Sequence, residues 1–587
     1  MGRAQASVSA RQPPLPLILL AATAQGMALW FLLRAAQDAA WPAAYPGTYA
    51  AFLTLAVFFV PTLYALAEWL GHWRAWATLV AAAIVLAIVG LHSGTALLPP
   101  GADPYGRPAL EFEHFLTVFV LMFHAVPFAQ CALAEARWRW SYARLFEYAW
   151  RNALRLLLAG LFAGVTWLLL WTAAKLFEML GIDFLMVVLF EEGRFFWLPL
   201  SLAFGAGVYF AENSERLMLA ARTLVLALLK WLAAAAALIL VLFSLALLIK
   251  TPELFASDER VISATWLLWL AALNIYLYNA GFQDGSDAEP YPPLLGRLLR
   301  YATPLLLMVS VLAGYALLVR VWAYGLTVPR VWGLLVAGIT LLYAAGYVLA
   351  ARRATPWMTG MARVNTAVAA VLVVALALML TPPLSPQRLT AASLEARLLA
   401  PGAMVDIEKL RMLKNDTGRY GKARLHQLAD NDDGVVPEAL RAAAASAFSS
   451  ESGDIELSRA PGTVALEAFP EGTVLDEAFR AAAAKWWRIR NYPDACSSRD
   501  PCPALVIDTN SDGINETVLF GPNNWVVFRL SGGQWKYDGL TSLPCIGMAD
   551  CDSKRVVERL RAGDYQLIAP QTIQLRVGEW RFTIDQD

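Results

Sequence analysis

A short segment of the polar C-terminal part, DTNSDGINE, places oxygen-bearing residues at alternate positions. Asp508, Asn510, Asp512 and Glu516 offer side-chain oxygens, and Ile514 offers a backbone carbonyl. Calcium loops use ligands at the first, third, fifth, seventh and ninth positions and a glycine at the sixth, because the chain must curl round one ion. The spacing therefore predicts a Ca²⁺ site with these five residues as ligands.

The segment differs from an EF-hand at its last position. An EF-hand ends on a bidentate glutamate at the twelfth position, and here that position is Leu519. The segment instead resembles the strand–loop–strand calcium hairpins of extracellular β-rich repeats. We therefore expect a structural ion that joins two strands. The alternative is a metal-free turn held by Asx side-chain hydrogen bonds.

Four of the five cysteines lie around and after this loop, in two C-x5-C pairs: Cys496 with Cys502 and Cys545 with Cys551. This spacing is not typical of zinc sites. An even set of cysteines favours disulfides in an oxidising compartment. Four cysteines allow three connectivities, and we favour the two local pairs.

The sequence contains no recognisable catalytic pattern. We find no paired carboxylates, nucleophile elbow, P-loop or histidine metal cluster. The formal net charge is zero, without the basic stretches that nucleic-acid binding requires. We therefore name no catalytic residue, expect no nucleic-acid partner and favour a non-enzymatic function, although enzymatic activity stays open.

The part of the chain that precedes the cysteines and the calcium-like loop contains long apolar runs. Of the 587 residues, 58% are hydrophobic and only 16% are charged. About 20 apolar residues in a helix cross a bilayer core of about 30 Å, and about eleven such runs occur before residue 383. They lie near 15–33, 48–70, 75–98, 113–134, 150–179, 194–211, 223–249, 261–282, 302–325, 330–350 and 363–382. We therefore predict an all-α polytopic membrane bundle over residues 1–382, with the lipid bilayer as its partner.

Residues 383–587 are polar and follow a different pattern. Helical patterns near 390–399, 418–429, 436–448 and 473–489 precede short alternating segments separated by turn residues. The alternating segments begin at ALVID and ETVLF and end at YQLIA, TIQLRV and EWRFTID. These features predict an α+β domain large enough for its own core.

The basic residues of the short loops predict the orientation. Arginines precede the first apolar run and follow the second, fourth, sixth, eighth and tenth, whereas the opposite loops are more acidic. Because loops rich in Lys and Arg stay in the cytoplasm, the N-terminus is predicted to be cytoplasmic. An odd number of spans then makes the C-terminal domain extracytoplasmic, in agreement with the cysteine pattern.

Ionisable residues within the apolar runs are costly in lipid and therefore indicate functional sites. They are Glu68, His92, His114, His124, Lys175, Glu178 and Lys230. His124 is the deepest, and a neutral imidazole bonded to a neighbouring helix is the structural alternative to a functional role. We expect several of the others, including His114, to reach towards the interface from span ends.

Two segments, YGLTVPR (324–330) and IEKLRMLKNDTGRYGKARLHQL (407–428), carry a family resemblance, and the second contains a Gly-Arg-Tyr-Gly signature. They resemble a bacterial membrane-protein family, domain of unknown function 4153. The resemblance covers most of residues 110–430. It implies a polytopic protein of the bacterial inner membrane, here with a periplasmic C-terminal domain. It implies no activity and no catalytic residue.

The matched segments also contain polar residues at turns. Arg320, Tyr324 and Arg330 lie around a tight turn between two spans, and Arg419 lies in a turn that opens a helix. Arginines at a membrane surface can bind phosphate or carboxylate with two parallel hydrogen bonds. They can equally lock a turn by bonding to carbonyls or lipid phosphate, which we favour. We expect Arg419 to dock the outer domain.

Three functions stay open from the sequence. We favour a non-catalytic envelope protein that binds or scaffolds through a calcium-stabilised periplasmic domain, with envelope proteins or lipids as partners. A transporter needs broken, polar helices near the midplane, and proline-broken runs occur here with few charges. A lipid-linked glycosyltransferase resembles this layout, but such enzymes place acidic residues on the first outer loop, which here holds only Asp38.

Overall fold

The structure, a computed structural model, describes the apolar part of the chain and portions of the polar part. The described residues are 14–38, 40–97, 112–135, 140–190, 195–256, 263–287, 289–352, 356–400, 405–430, 436–449, 465–470, 473–489, 501–508, 513, 515–520, 525–531, 534–541, 559, 562, 573–577 and 580–584. The chain divides into two compact units, Met1–Phe448 and Ser449–Asp587.

The first unit is helical. Its apolar helices are α1 (Leu15–Gln37), α2 (Pro46–Leu66), α3 (Trp73–Leu97), α4 (Phe112–Glu135), α5 (Tyr142–Glu178), α6 (Phe184–Leu189), α7 (Trp197–Asn213), α8 (Glu215–Ala256), α9 (Ala264–Phe282), α10 (Pro293–Tyr324), α11 (Val328–Ala351) and α12 (Met361–Met379). More polar helices follow as α13 (Pro386–Leu398), α14 (Ile407–Asn415), α15 (Gly418–Ala429) and α16 (Glu438–Ser449).

Within the described ranges, nine helices are long and apolar enough to cross a bilayer. They are Leu15–Gln37, Pro46–Trp69, Trp73–Ala96, Phe112–Glu135, Tyr142–Glu178, Glu215–Lys250, Pro293–Tyr324, Val328–Ala351 and Trp357–Met379. Every apolar run named from the sequence contains a helix. However, α7 has only 17 residues, and the apolar sequence of α9 is interrupted by Asn274 and Asn279. The nine helices support a polytopic membrane protein, and the count of eleven stays a prediction.

Small residues allow a close contact between α2 and α3. A Cβ atom on Gly94 of α3 would lie 2.4 Å from the carbonyl oxygen of Pro46, and one on Gly90 would lie 2.6 Å from that of Ala50. Paired small residues let helices approach closely in lipid, where packing rather than hydrophobic burial drives association. His92 lies between the two glycines in sequence, so this contact also holds the backbone that carries its imidazole.

The polar helices α13, α14 and α15, which we call the cap, pack within the first unit. Arg397 of α13 donates from Nη1 to the carbonyl of Ala323 at 3.0 Å and from Nη2 to that of Val321 at 3.1 Å. Both carbonyls belong to the last turn of α10, where a cation complements the helix dipole. On the other side, the Tyr420 ring of α15 lies 6.3 Å from the His92 ring of α3.

The compact units therefore divide at residue 448, whereas the composition changes near residue 382. The cap is polar in sequence and yet belongs with the apolar helices. The composition shows where the apolar runs end, whereas the division into compact units depends on tertiary contacts such as those of Arg397 and Tyr420.

The second unit contains a mixed five-stranded sheet. Its elements are β1 (Leu466–Phe469), α17 (Glu477–Ile489), β2 (Cys502–Ile507), β3 (Glu516–Phe520), β4 (Trp525–Ser531), β5 (Gln534–Thr541), β6 (Ile573–Val577) and β7 (Trp580–Ile584). The order is β1-β2-β3-β4-β5, with β1 parallel to β2 and the other neighbours antiparallel, and β6 pairs with β7 in a separate hairpin.

The α17 helix supplies part of the core of this sheet. Phe479 of α17 meets Phe528 of β4 edge-on, with ring centroids 5.5 Å apart, and Trp535 of β5 at 5.2 Å. The sequence correctly indicated α17 and most strands, but it missed β1 and α14. The predicted YQLIA strand lies outside the described residues. A helical bundle followed by a small mixed α and β unit is thus confirmed.

Candidate functional site

A polar cavity of about 310 Å³ lies where the cap meets the ends of α3, α4, α11 and α12. We call it the cap cavity. Its polar lining consists of His92, Ser93, Glu113, His114, Thr117, Thr327, Trp332, Gln387, Thr390, Asn415 and Asp416. The described lining thus includes two imidazoles and two carboxylates but no lysine or arginine. Its volume is at the lower end of the range of small-ligand sites, about 300–1,000 Å³.

Four buried polar atoms that belong to residues lining this cavity have no hydrogen-bond partner among the described residues. They are His92 Nδ1, His114 Nδ1, Trp332 Nε1 and Thr390 Oγ1. The relative exposure is 7% for His92, 4% for His114 and 1% for Thr390. A buried polar group without a partner costs about 1–3 kcal/mol. Four such groups around one cavity indicate a site where a ligand provides the missing partners.

A short hydrogen-bond chain fixes the His114 ring. Its Nε2 lies 3.0 Å from Thr54 Oγ1 on α2, and Thr54 Oγ1 donates to the Ala50 carbonyl at 2.7 Å. Since a hydroxyl has one proton, Thr54 must accept from Nε2–H. In the neutral imidazole, Nδ1 is then a hydrogen-bond acceptor at the cavity. His114 is the third residue of α4, near the end of a span as the sequence indicated, and its ring is buried.

The cap places Asn415 and Asp416 at the cavity by a tight turn between α14 and α15. Gly418 has a φ of 54°, a left-handed conformation that favours glycine. A Cβ on Gly421 would lie 1.6 Å from the Leu413 carbonyl oxygen, so α14 and α15 pack this closely only with glycine there. Burial raises the pKa of the Asp416 carboxyl above its ordinary value, although the positive charge of Arg411 opposes this shift.

The YGLTVPR turn is held by arginines. Arg330 donates from Nη1 to the Gly325 carbonyl at 2.7 Å, and its guanidinium lies 5.6 Å from the centre of the Tyr324 ring. Arg320 and Arg397 are near enough to act on Arg330 electrostatically. These contacts are those of a turn-locking group, and the contribution of Arg397 was not indicated by the sequence.

Arg419 lies at the edge of the contact between the cap and the bundle. Its Nη2 donates to the Tyr420 hydroxyl at 3.2 Å, and its guanidinium lies 5.0 Å from the centre of that ring. Tyr420 in turn contacts His92. Arg419 is itself exposed, so it supports the aromatic contact from outside and does not line the cap cavity.

His124 lies in a different cavity, of about 270 Å³, together with Tyr142, Asn279, Tyr343 and Asn365. Its Nδ1 lies 2.8 Å from the carbonyl of Val120, one turn earlier on α4. Because a carbonyl oxygen only accepts, the Nδ1 position carries the proton. The imidazole therefore bonds to its own helix and not, through Nδ1, to a neighbouring one.

Other ionisable groups named from the sequence are paired. Glu68 forms an ion pair with Arg151 of α5, and Lys175 pairs with Glu178 at 2.7 Å. A further pair, Arg155 with Glu212, was not indicated by the sequence. Paired charges of this kind are tolerated among apolar helices because each satisfies the other.

Part of the proposed calcium loop is described. Asp508 Oδ2 accepts the Gly513 amide at 2.9 Å, and Gly513 has a φ of 80°. Glu516 is fully buried, and its Oε1 lies 3.3 Å from Arg529 Nε on β4. Asn510, Asp512 and Ile514 lie outside the described residues. Among those that are described, no cluster of three or more His, Cys, Asp or Glu is arranged to hold a metal, and calcium binding stays a prediction.

The cysteines give a similarly partial view. Cys502 is buried in β2, whereas Cys496, Cys545 and Cys551 lie outside the described residues. Cys131 is a free, buried cysteine of α4. The proposed disulfides therefore stay a prediction.

Comparison of the chain with models of known protein families, with curated proteins and with solved structures finds no match. The resemblance to domain of unknown function 4153 thus stays a prediction.

The sequence named His92 and His114 but missed Trp332, Thr390 and Asp416. The sequence could not group these residues with His92 and His114, because α3, α4, α11 and the cap meet only after folding. The nearest signal in the sequence is the Asn-Asp-Thr-Gly turn within the segment that carries the family resemblance.

Proposed function

We propose that this chain is a bacterial inner-membrane protein whose cap cavity binds a polar ligand without converting it. The observation that carries the proposal is the set of four buried, unpartnered polar atoms around that cavity. Three of them come from apolar helices of the bundle, α3, α4 and α11, and one comes from the cap. A ligand that pairs with these atoms would join the cap to the bundle.

We place the N-terminus in the cytoplasm and the cap and C-terminal unit in the periplasm. The arginine-rich loops support this orientation. The cavity is lined by the end of α3, the start of α4, the start of α11 and the end of α12. With either nine or eleven spans, this orientation assigns all four ends to the outer face. In this proposal, the Asp508 loop binds structural Ca²⁺ within the periplasmic unit.

A transporter is the second function that a specific observation favours. Pro61, Pro127 and Pro304 lie inside α2, α4 and α10, and His124 lines a second cavity among apolar helices. However, Glu68, Arg151, Arg155 and Glu212, which are charged side chains described within the bundle, are paired with one another. A lipid-linked glycosyltransferase stays the third alternative, with Glu113 and Asp416 as its only carboxylates in the described lining of the cap cavity.

Native mass spectrometry of gently solubilised, full-length protein tests the binding function. We expect a small-molecule adduct on the natural chain that is reduced or lost in Thr390→Val, which keeps the shape and removes the hydroxyl. Thr223→Val, on an exposed face of α8, is the matched control and should retain the adduct.

Thermal unfolding of the same variants provides an independent measurement. A buried hydroxyl without any partner is replaced by an apolar group at no cost or with a gain in stability. If the ligand is present, Thr390→Val should instead lower the unfolding temperature. A protein without adduct that is stabilised by Thr390→Val would overturn the proposed function.

A further inference from the structure

We infer that the ligand of the cap cavity is an uncharged group rich in hydroxyls, of the pyranose sugar class. This inference rests on the proposed binding function and specifies its ligand. It follows from the hydrogen-bonding direction of the unpartnered atoms, from the charge of the lining and from the size of the cavity.

The unpartnered atoms require both a donor and an acceptor from the ligand. Trp332 Nε1–H can only donate, so the ligand must offer an acceptor. In neutral His114, Nδ1 is an acceptor because Nε2 carries the ring hydrogen and donates it in a hydrogen bond to Thr54 Oγ1, so the ligand must also offer a donor. Thr390 Oγ1 can do either. A hydroxyl group meets all three demands, since it donates once and accepts twice.

The charge of the lining argues against an anion. Glu113 and Asp416 both line the cavity, and none of its described lining residues is a lysine or an arginine. Phosphates and carboxylates are usually bound by arginine, lysine or a helix N-terminus. The starts of α4 and α11 do line the cavity, but Glu113 already places a carboxylate in the first turn of α4. Two carboxylates would instead repel an anionic group, whereas each can accept hydrogen bonds from several hydroxyls.

The same lining does not favour a simple cation. A metal ion or an alkylammonium group lacks an acceptor for the indole N–H of Trp332. In the part of the chain that the structure describes, no group of three or more His, Cys, Asp or Glu could hold a metal. A ligand that pairs with Trp332 and His114 together must carry oxygen on a carbon framework.

The size and shape of the lining suit one sugar ring. The cavity of about 310 Å³ combines the amides of Asn415 and Gln387 with apolar surface from Val328 and Leu394. A pyranose presents hydroxyls at its edge and C–H groups on its faces, so it matches a lining of this mixed character. The sugar can come from a free saccharide or from the headgroup of a glycolipid, because both offer the same hydroxyls.

Binding measurements on full-length protein in phosphatidylglycerol nanodiscs separate these ligands. Isothermal titration uses methyl β-D-glucopyranoside, sodium phosphate and tetramethylammonium chloride as soluble probes. For the lipid source, nanodiscs contain monoglucosyl-diacylglycerol, and the thermal unfolding shift is compared with that in phosphatidylglycerol alone. We expect binding of one sugar source and no binding of phosphate or tetramethylammonium.

Variants connect the binding to the proposed atoms. Trp332→Phe removes the indole N–H and should weaken sugar binding at least about tenfold, as loss of a buried hydrogen bond predicts. Trp322→Phe, at a site that is 87% exposed on α10, should leave it unchanged. Thr54 is a positioning residue outside the cavity lining. Thr54→Val should therefore weaken binding, and Thr54→Ser, which keeps the hydroxyl, should restore it.

The possible results separate a wrong ligand class from a wrong binding function. Binding of phosphate or tetramethylammonium instead of either sugar would overturn the sugar class and leave a ligand-binding protein. If neither sugar source binds, but the native adduct is still lost in Thr390→Val, the sugar class is overturned and the binding function stands. Sugar binding that Trp332→Phe leaves unchanged would also overturn the inference, because the sugar would then occupy another site.

Discussion

Thr54 on α2 and His114 on α4 are joined by a hydrogen bond of 3.0 Å between Oγ1 and Nε2. Thr54 donates its hydroxyl hydrogen to the Ala50 carbonyl in a hydrogen bond, so the bond to His114 fixes which nitrogen of a neutral imidazole carries hydrogen. Nδ1 is then a buried acceptor without a partner among the described residues. A residue that does not line the cavity thus determines what His114 can bind.

Gly421→Ala should destabilise the cap. The added Cβ would meet the Leu413 carbonyl oxygen and Thr417 Oγ1, and overpacking of this kind costs about 1–3 kcal/mol. A lower thermal unfolding midpoint and faster amide hydrogen exchange in α14 and α15 would show this loss. Gly296→Ala in α10 is the control, because its Cβ would meet no atom within 4 Å. Equal effects of the two substitutions would contradict the proposed close packing.

Arg397→Ala should loosen the cap from α10. The guanidinium donates to the carbonyls of Val321 and Ala323, and hydrogen bonds to charged groups contribute about 1.5–3 kcal/mol. Limited proteolysis should cut the chain faster between α13 and α14. Arg397→Lys should have an intermediate effect because an ammonium lacks the planar fork of donors. Arg388→Ala on the same helix removes one exposed contact to Pro382 and should change the rate little.

Asp416→Asn should stabilise the protein at neutral pH. Burial raises the pKa of Asp416 in the folded state, so its stability contribution is greatest below the unfolded pKa and falls as pH rises through the folded pKa. The gain from Asp416→Asn should therefore be present at pH 7 and vanish in acid. Thermal midpoints measured across this range test the trend, with Asp183→Asn as control, because Asp183 does not line the cap cavity. A gain that is independent of pH would rule out this explanation.

Alkaline phosphatase fused after residue 385 should be active, because we place the cap in the periplasm. The enzyme requires an oxidising compartment to form its disulfides. The same reporter fused after His72, between α2 and α3, should be inactive in the cytoplasm. Comparable amounts of both fusions are verified by immunoblotting. Activities in the reverse order would invert the topology, and the cap would then be cytoplasmic.

Calcium at millimolar concentration should raise the unfolding temperature of the full chain. The expected cause is coordination by the Asp508 loop, since a ligand that binds only the folded state stabilises it. Asp508→Asn combined with Asp512→Asn should remove the response, and magnesium should not reproduce it. Asp287→Asn, in an exposed loop of the first unit, should leave the response intact. No calcium response in the natural chain would favour the metal-free turn, for which the bond from Gly513 to Asp508 is already in place.

The helices and most strands could be predicted from the sequence because their causes are local. An apolar run of about 20 residues in lipid has to pair its backbone groups within itself, and alternating residues between turns favour strands. The runs near α2, α3 and α4 therefore indicated helices without knowledge of their neighbours. The same local patterns could not decide whether the shorter α7 and α9 cross the bilayer.

The cap cavity was decided only by the tertiary structure. His92, His114, Trp332 and Thr390 come from four helices, and the partner that each polar atom finds or lacks depends on side chains distant in sequence. Composition could locate the histidines, but it could not show that Thr54 pairs with one nitrogen of His114 and that the other nitrogen is buried without a partner among the described residues. The sequence by itself determined where the chain becomes helical and apolar, whereas packing between helices determined which polar groups are left to bind a ligand.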